Sequence, residues 1–216
     1  MIQNNLKKRI LTSLFLVMII LLIFLSKLSL IFFLICFGIL SIVEFSSITK
    51  KIFKKRTTYF TSNFFFIIYI FFFTLLFFHL SNFLETKTLL FLILITCIAS
   101  DVGGYTFGKL IKGPKLTKIS PNKTYAGAIG SLIFSCIFFS LSILQLIDFI
   151  SINIIFIALI ISASCQIGDL FFSYLKRKAG IKHTGNFLPG HGGILDRLDS
   201  ILLGMPFGLT STILLI

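Results

Sequence analysis

The chain has 216 residues, 56% of them hydrophobic, with a mean hydropathy of +1.05 and a formal net charge of +13. A soluble core needs far less apolar sequence, so the reading is an all-α, polytopic integral membrane protein. Its length fits one membrane-embedded domain over residues 1–216 and leaves no room for a separate soluble one. The charge would suit a nucleic-acid binder, but the cations lie in short loops between apolar runs, as topology signals do, and nucleic acid is set aside as a partner. Basic loops at a membrane face also attract anionic lipid headgroups.

Residues 1–9 are polar and end in Lys7, Lys8 and Arg9. Apolar runs follow at Ile10–Leu25 and Leu28–Val43, separated by Ser26-Lys27, which reads as a tight helical hairpin. A basic start before an apolar centre imitates a signal peptide, but no small-residue cleavage site follows, so the hairpin is expected to stay in the mature protein. Glu44 then stands at the helix exit, before five cations between Lys50 and Arg56. It reads either as a structural partner for one of those cations or as a residue near substrate. Residues 1–58 thus form an N-terminal hairpin and basic loop.

A Phe-rich run covers Tyr59–Leu80, ending beside His79, and a short polar turn with Glu85 and Lys87 follows. The fourth run starts near Leu89 and ends in Ser100-Asp101-Val102-Gly103-Gly104-Tyr105. An acid within a membrane-helix end is costly and faces a cavity or a partner. The next loop carries Lys109, Lys112, Lys115, Lys118 and Lys123, and Pro114 and Pro121 keep it from being one helix. The fifth run, Tyr125–Ile147, begins with Ala126, Gly127, Ala128, Gly130 and Ser131, small residues that permit close helix approach. Asp148–Asn153 is read as a turn. The sixth run goes from Ile154 to about Phe172, with Asp169 near its end, and the last from Ile201 to Ile216. Each cysteine lies inside an apolar run with no paired spacing, and reads as a small buried hydrophobe.

About seven transmembrane helices result. With the N-terminus on the cytoplasmic side, 18 of the 20 cations fall in cytoplasmic segments, and only Lys27 and Lys87 face the other way. The same numbering puts Asp101, Asp169, Asp196 and Asp199 at one membrane face, with the site expected at the cytoplasmic side of a bacterial inner membrane.

The stretch Ser173–Ser200 breaks the composition around it with cations, acids and glycines. If the sixth helix continues through Arg177, then Asp169, Ser173 and Lys176/Arg177 form one stripe. Asp196 and Asp199 likewise share a face if the last helix begins there. Converging carboxylates need a compensating cation, and Mg²⁺ takes a few carboxylates plus phosphate oxygens and waters. Two metals could clamp the attacking and leaving oxygens of a phosphoryl transfer. Leu188–Gly193, LPGHGG, would let backbone N–H groups approach an anion at a helix start. Lys176, Arg177, Lys182 and Arg197 could hold phosphates, whereas Lys178 reads as a topology signal. His191 either donates to a phosphate or caps the turn.

These residues closely resemble the signature of the phosphatidate cytidylyltransferases (CDP-diacylglycerol synthases). The matches are Gly168-Asp169, Ser173, Lys176-Arg177, Lys182, Pro189, His191-Gly192-Gly193 and Asp196-Arg197-Leu198-Asp199. An earlier block also matches: Asp101, Tyr105, Gly108-Lys109, Ser120-Pro121-Asn122-Lys123-Thr124 and Gly127, and Lys8-Arg9 and Glu44-Phe45 are similar to the family. His183 stands where the family has Asp, and Tyr125 where Trp is usual.

The resemblance implies transfer of a cytidylyl group from CTP to phosphatidate, giving CDP-diacylglycerol and pyrophosphate for phospholipid biosynthesis. Residues 89–200 would be the catalytic region. Asp169 and Asp196 would hold Mg²⁺, with room for a second, monovalent cation such as K⁺. Asp169, Asp196, Lys176 and Arg197 would carry the chemistry. Ser173, Arg177, Lys182, His191, Gly192, Gly193, Lys123, Asp101 and Asp199 would contact substrate. Membrane lipid is the surrounding partner, and a homodimer is left open. Other readings are a membrane nucleotidyltransferase or kinase for another lipid, an ion transporter, or an inactive homologue. A transporter would carry its acids near the bilayer midplane, not at one face.

Overall fold

A computed structural model describes residues 2–147, 151–185, 187 and 192–215, with the side chains of 2–9 and 147 outside that description. Among the described residues eight helices follow in chain order: α1 (Ile2–Leu25), α2 (Lys27–Ile52), α3 (Arg56–Leu80), α4 (Leu84–Leu110), α5 (Tyr125–Ile147), α6 (Ile152–Lys178), α7 (Leu195–Leu198) and α8 (Ile201–Leu215). Among the described residues there is no strand, and an isolated bridge joins Lys115 and Thr124. The all-α expectation therefore holds. Six stretches are long and apolar enough to cross a membrane, the last being Leu195–Leu215, and Ile10–Leu25 adds a shorter apolar helix. The protein is an integral membrane protein of six to seven spans. The turn expected at Asp148–Asn153 falls partly outside the described residues.

Helices extend well beyond the apolar runs that announce them. The 26 residues of α2 make a rod of about 39 Å, longer than the roughly 30 Å hydrocarbon core. Its extra turns carry Glu44 and the first cations of the basic loop. Ser26 starts this helix, its side chain accepting from the Ser29 N–H at 3.5 Å. Likewise α6 continues through Lys178, as the Asp169–Arg177 stripe requires.

The chain forms two compact units, Met1–Leu80 with Leu175–Leu198, and Ser81–Tyr174 with Asp199–Ile216. In the first, α2 packs on α3 through a stacked pair, Phe45 and Phe66, with ring centroids 3.9 Å apart. Asn63 donates to the Thr49 hydroxyl at 2.9 Å, and Ser46 and Tyr59 share a hydrogen bond of 2.7 Å. Leu30, Ile48 and Ile70 complete this core.

In the second unit, α4 and α5 cross closely. A Cβ on Gly103 would lie 2.6 Å from the Phe134 Cβ and 2.7 Å from the Gly130 carbonyl oxygen. One on Gly127 would lie 2.7 Å from the Gly104 carbonyl oxygen. The small residues that open α5 thus do what their pattern implied. The basic loop between these helices turns at Lys112 and Gly113, with φ of 57° and 102°. It closes through Leu116 N–H to Lys123 O at 2.8 Å, and Thr124 caps α5 by accepting from the Gly127 N–H at 3.1 Å. Helix α8 packs against α4, with Gly208 facing Ile93 and Ile161 at 2.8 and 2.9 Å from its notional Cβ.

Gly103→Ala should destabilise the protein by about 1–3 kcal/mol, the usual cost of overpacking. Gly38→Ala, whose Cβ would meet only the Ile70 and Thr74 methyls at 3.3 and 3.7 Å, should cost less. Thermal midpoints in detergent for the two variants check this order.

Candidate active site

The buried acids of this chain need hydrogen-bond donors or a cation to remain charged. The two units solve this separately.

In the first unit, Asp196 on α7 has a side chain only 7% exposed. Its Oδ1 accepts from the Lys176 ammonium at 2.7 Å, and its Oδ2 accepts from the N–H groups of Thr184 at 2.9 Å and Gly193 at 3.2 Å. The spacing Lys176…Asp196 across the glycine-rich segment thus closes into an ion pair. The His183 Nδ1 lies 3.7 Å from the same Oδ2, beyond hydrogen-bonding range, on a largely exposed ring. Gly192 is held at φ +86°, and a Cβ there would stand 2.7 Å from Asp196 Oδ2. Both conditions demand glycine.

Glu44, 2% exposed, is the second buried acid of this unit. Its Oε2 accepts from the Thr184 hydroxyl at 2.6 Å and the Leu195 N–H at 2.9 Å, and its Oε1 from the Ile194 N–H at 3.0 Å. Sequence reasoning offered a Lys50–Arg56 cation as its structural partner. Its described hydrogen-bond partners are instead a hydroxyl and two backbone N–H groups. The position of Glu44 at a helix exit and the similarity of Glu44-Phe45 to the family signalled its importance; Thr184 gave no signal.

Leu188–His191 of the glycine-rich turn expected to meet an external anion lie outside the described residues. The N–H groups of Gly193, Ile194 and Leu195 point at the protein's own carboxylates. Arg177, Lys182 and Arg197 are exposed. The Arg177 guanidinium donates to the Ile181 carbonyl at 3.4 Å, and the Lys178 ammonium lies 5.9 Å from the Phe53 ring centroid. His191 and Pro189 lie outside the described residues.

In the second unit, Asp169 Oδ2 pairs with the Lys123 ammonium, and Oδ1 is 3.4 Å from the Ser173 hydroxyl. The side chains of Lys123 and Asp169 are 25% and 32% exposed. The loop that carries Lys123 and the end of α6 thus come together, joining two separate sequence blocks. Asp101 accepts from the Ser200 hydroxyl at 2.7 Å, and the Ser200 N–H donates to Asp199 Oδ1 at 3.1 Å. Asp199 itself is buried at 7% exposure. Asp196 and Asp199 are not successive positions of one uninterrupted helix. α7 ends at Leu198, a turn holds Asp199 and Ser200, and α8 begins at Ile201. Below Asp101 and Asp169 runs a polar seam. Ser100 and Ser162 share a 2.8 Å hydrogen bond, and the Gln166 amide donates to the Ala128 carbonyl at 3.2 Å.

This architecture coincides with a match along nearly the whole sequence: a model of the Cytidylyltransferase family fits residues 4–214. The chain belongs to the cytidylyltransferase family. Relatives include a protein of Helicobacter pylori (strain ATCC 700392 / 26695) named phosphatidate cytidylyltransferase. It is 42% identical over 112 residues, which are 52% of this chain and 42% of that protein. A protein of the same name from Staphylococcus aureus (strain COL) is 42% identical over 133 residues, 57% of this chain and 50% of its own length. One from Mycobacterium leprae (strain TN) is 42% identical over 113 residues, 52% of this chain and 36% of that protein. The matched stretch is thus half or less of each relative's length.

The donor chemistry suits a hard cation. Among the described residues no group of three or more His, Cys, Asp and Glu side chains forms a metal cage. Mg²⁺ does not need one, since it is held by one or two carboxylates and completes its shell with phosphate oxygens and water. Asp169, partly exposed and flanked by a hydroxyl, fits that role. Asp196 fits it once Lys176 is displaced from Oδ1.

Removing Lys176 would leave a buried carboxylate with backbone donors alone. Lys176→Met should therefore cost about 3 kcal/mol or more. Lys123→Met, on a partly exposed pair, should cost about 1 kcal/mol, and Lys178→Met, on an exposed side chain, less than about 0.5 kcal/mol. Denaturation midpoints of the three purified variants test the ranking.

Proposed function

We propose that this protein transfers a cytidylyl group from CTP to phosphatidate, giving CDP-diacylglycerol and pyrophosphate, at the cytoplasmic face of a bacterial inner membrane. The observation that carries the reading is the Lys176–Asp196 pair closed over Gly193, in a chain that matches its family over residues 4–214. The name borne by the relatives supports phosphatidate as the acceptor lipid.

In this scheme a phosphate oxygen of phosphatidate attacks the α-phosphorus of CTP. A new phosphorus–oxygen bond forms, the bond to the β-phosphate oxygen breaks, and pyrophosphate leaves with the electron pair. The nucleophile is already anionic, so no strong general base is required. The protein's task is to bring two polyanions together and to stabilise the charge on the departing pyrophosphate.

Cations on this chain do that work. Arg177, Lys182 and Arg197 are exposed and able to take phosphate oxygens, Arg in bidentate geometry. Lys123 and Lys176, held on Asp169 and Asp196, supply fixed positive charge beside the carboxylates. Ser173 and the compact Gly192–Gly193 turn complete the substrate contacts. Asp169 and Asp196 are the proposed Mg²⁺ ligands, and the metal, when bound, supplies Lewis-acid neutralisation of phosphate charge. The acyl chains of the acceptor remain in the bilayer while its headgroup meets CTP.

The decisive assay is formation of CDP-diacylglycerol from CTP and phosphatidate by the purified protein in lipid–detergent micelles, with Mg²⁺ present or chelated and K⁺ varied. Product should require Mg²⁺ and fall by about 10²-fold or more in Asp169→Asn and Asp196→Asn, the scale of losing a transition-state charge stabiliser. A folded protein that makes no product from phosphatidate overturns the proposal; a positive result with another phospholipid acceptor would then redirect the substrate assignment.

A further inference from the structure

Glu44 stands at a distance of 140 residues from Thr184 along the chain, on a helix that carries none of the signature residues of the glycine-rich segment. Yet three donors converge on its carboxylate: the Thr184 hydroxyl and the N–H groups of Ile194 and Leu195. All three come from the segment that holds Asp196.

Thr184 is the bridge. Its hydroxyl donates to Glu44 at 2.6 Å while its backbone N–H donates to Asp196 at 2.9 Å. Leu195, whose N–H meets Glu44, is the residue before Asp196. Glu44 therefore restrains Asp196 from two sides without touching it.

The glycines on either side are shaped to the same carboxylate. A Cβ on Gly185 would lie 2.6 Å from Glu44 Oε1, and one on Gly193 would collide with both Glu44 oxygens and the Thr184 hydroxyl. Thus Gly193 is required by lack of space, not by backbone conformation. Both carboxylate oxygens accept, one from the Ile194 N–H and the other from the Thr184 hydroxyl and the Leu195 N–H, so the carboxylate's charge is used by every one of these contacts. Carboxylate bonds of this kind are about twice as strong as neutral ones.

We propose that Glu44 is a positioning residue for the cytidylyl transfer: it pins Thr184, Ile194 and Leu195 to α2 and so fixes the direction of the Asp196 carboxylate. The inference rests on the function proposed above for its kinetic consequence, but not for its structural one. The two are measured separately.

Glu44→Gln keeps size but turns an NH₂ donor toward N–H donors. Thr184→Val keeps shape and the backbone N–H while removing the hydroxyl. Hydrogen–deuterium exchange of peptides spanning residues 192–198 in the full-length, detergent-solubilised protein should be faster in both variants, with α3 peptides unchanged. In the CTP assay, kcat/KM per folded molecule should fall roughly ten- to a hundredfold in each, the scale of a lost hydrogen bond to a charged group. Thr184→Ser, which returns the hydroxyl, should recover most of the loss. The double variant should be little worse than either single one, because both break one tie.

Unchanged exchange at 192–198 in a folded Glu44→Gln or Thr184→Val protein overturns the proposal. So does a lowered thermal midpoint with kcat/KM intact, which would make Glu44 a structural strut alone. If the unaltered protein turns over no CTP, the functional reading fails while the exchange data still decide whether Glu44 pins the segment. Should Glu44→Gln fail to fold, the milder Thr184→Val and its serine counterpart carry the test.

Discussion

A carboxylate taken out of water must be met by donors or a cation, and in this chain that requirement organises the segment between Thr184 and Asp196. Glu44 and Asp196 are both nearly inaccessible, and together they consume four backbone N–H groups, one hydroxyl and one ammonium. A segment so rich in glycine has a large conformational entropy to lose. Neutral contacts alone would hold it poorly. Charge-assisted bonds to two anchored acids hold Thr184 and Gly193–Leu195 in place, and Lys176 at the end of α6 supplies the balancing charge.

The second unit meets a related problem by other means. Its acids are at helix ends and in a turn, and their partners are a lysine and two serine donors: Lys123 with Asp169, Ser173 beside it, and Ser200 with Asp101 and Asp199. The Lys123–Asp169 pair is partly exposed, so it is less costly to open than the Lys176–Asp196 pair. A polyanionic substrate competes for lysines, and a metal ion competes for carboxylates. An ion pair that joins the two keeps both charged and oriented while leaving each exchangeable. In the proposed reaction that is a physical reason for Lys123 and Lys176 to sit on Asp169 and Asp196.

Much of this was legible in the sequence because the bilayer imposes a strong filter. Span positions followed from apolar runs, and the small residues of Tyr125–Ser131 correctly announced a close helix crossing. The extension of α6 past its apolar run was foreseeable because Asp169, Ser173 and Arg177 repeat at helical spacing. The extent of α2 was not, since Glu44–Ile52 is polar enough to pass for a loop. The break at Asp199–Ser200 was also hidden: a three-residue acid spacing reads as helical whether or not the helix is continuous.

What sequence could not supply was the partner of each charged group. Glu44 precedes five cations, and proximity along the chain suggested one of them. Threonine hydroxyls and backbone N–H groups carry no charge pattern, so a tie across 140 residues leaves no local trace. LPGHGG reads as a turn built to receive an external anion; Leu188–His191 lie outside the described residues, and the N–H groups of Gly193 and of the following Ile194 and Leu195 meet the protein's own carboxylates. In the proposed reaction those three N–H groups, already spent on Glu44 and Asp196, leave the exposed Arg177, Lys182 and Arg197 as candidate phosphate contacts, and the aim of the buried Asp196 rests on the donors that hold it.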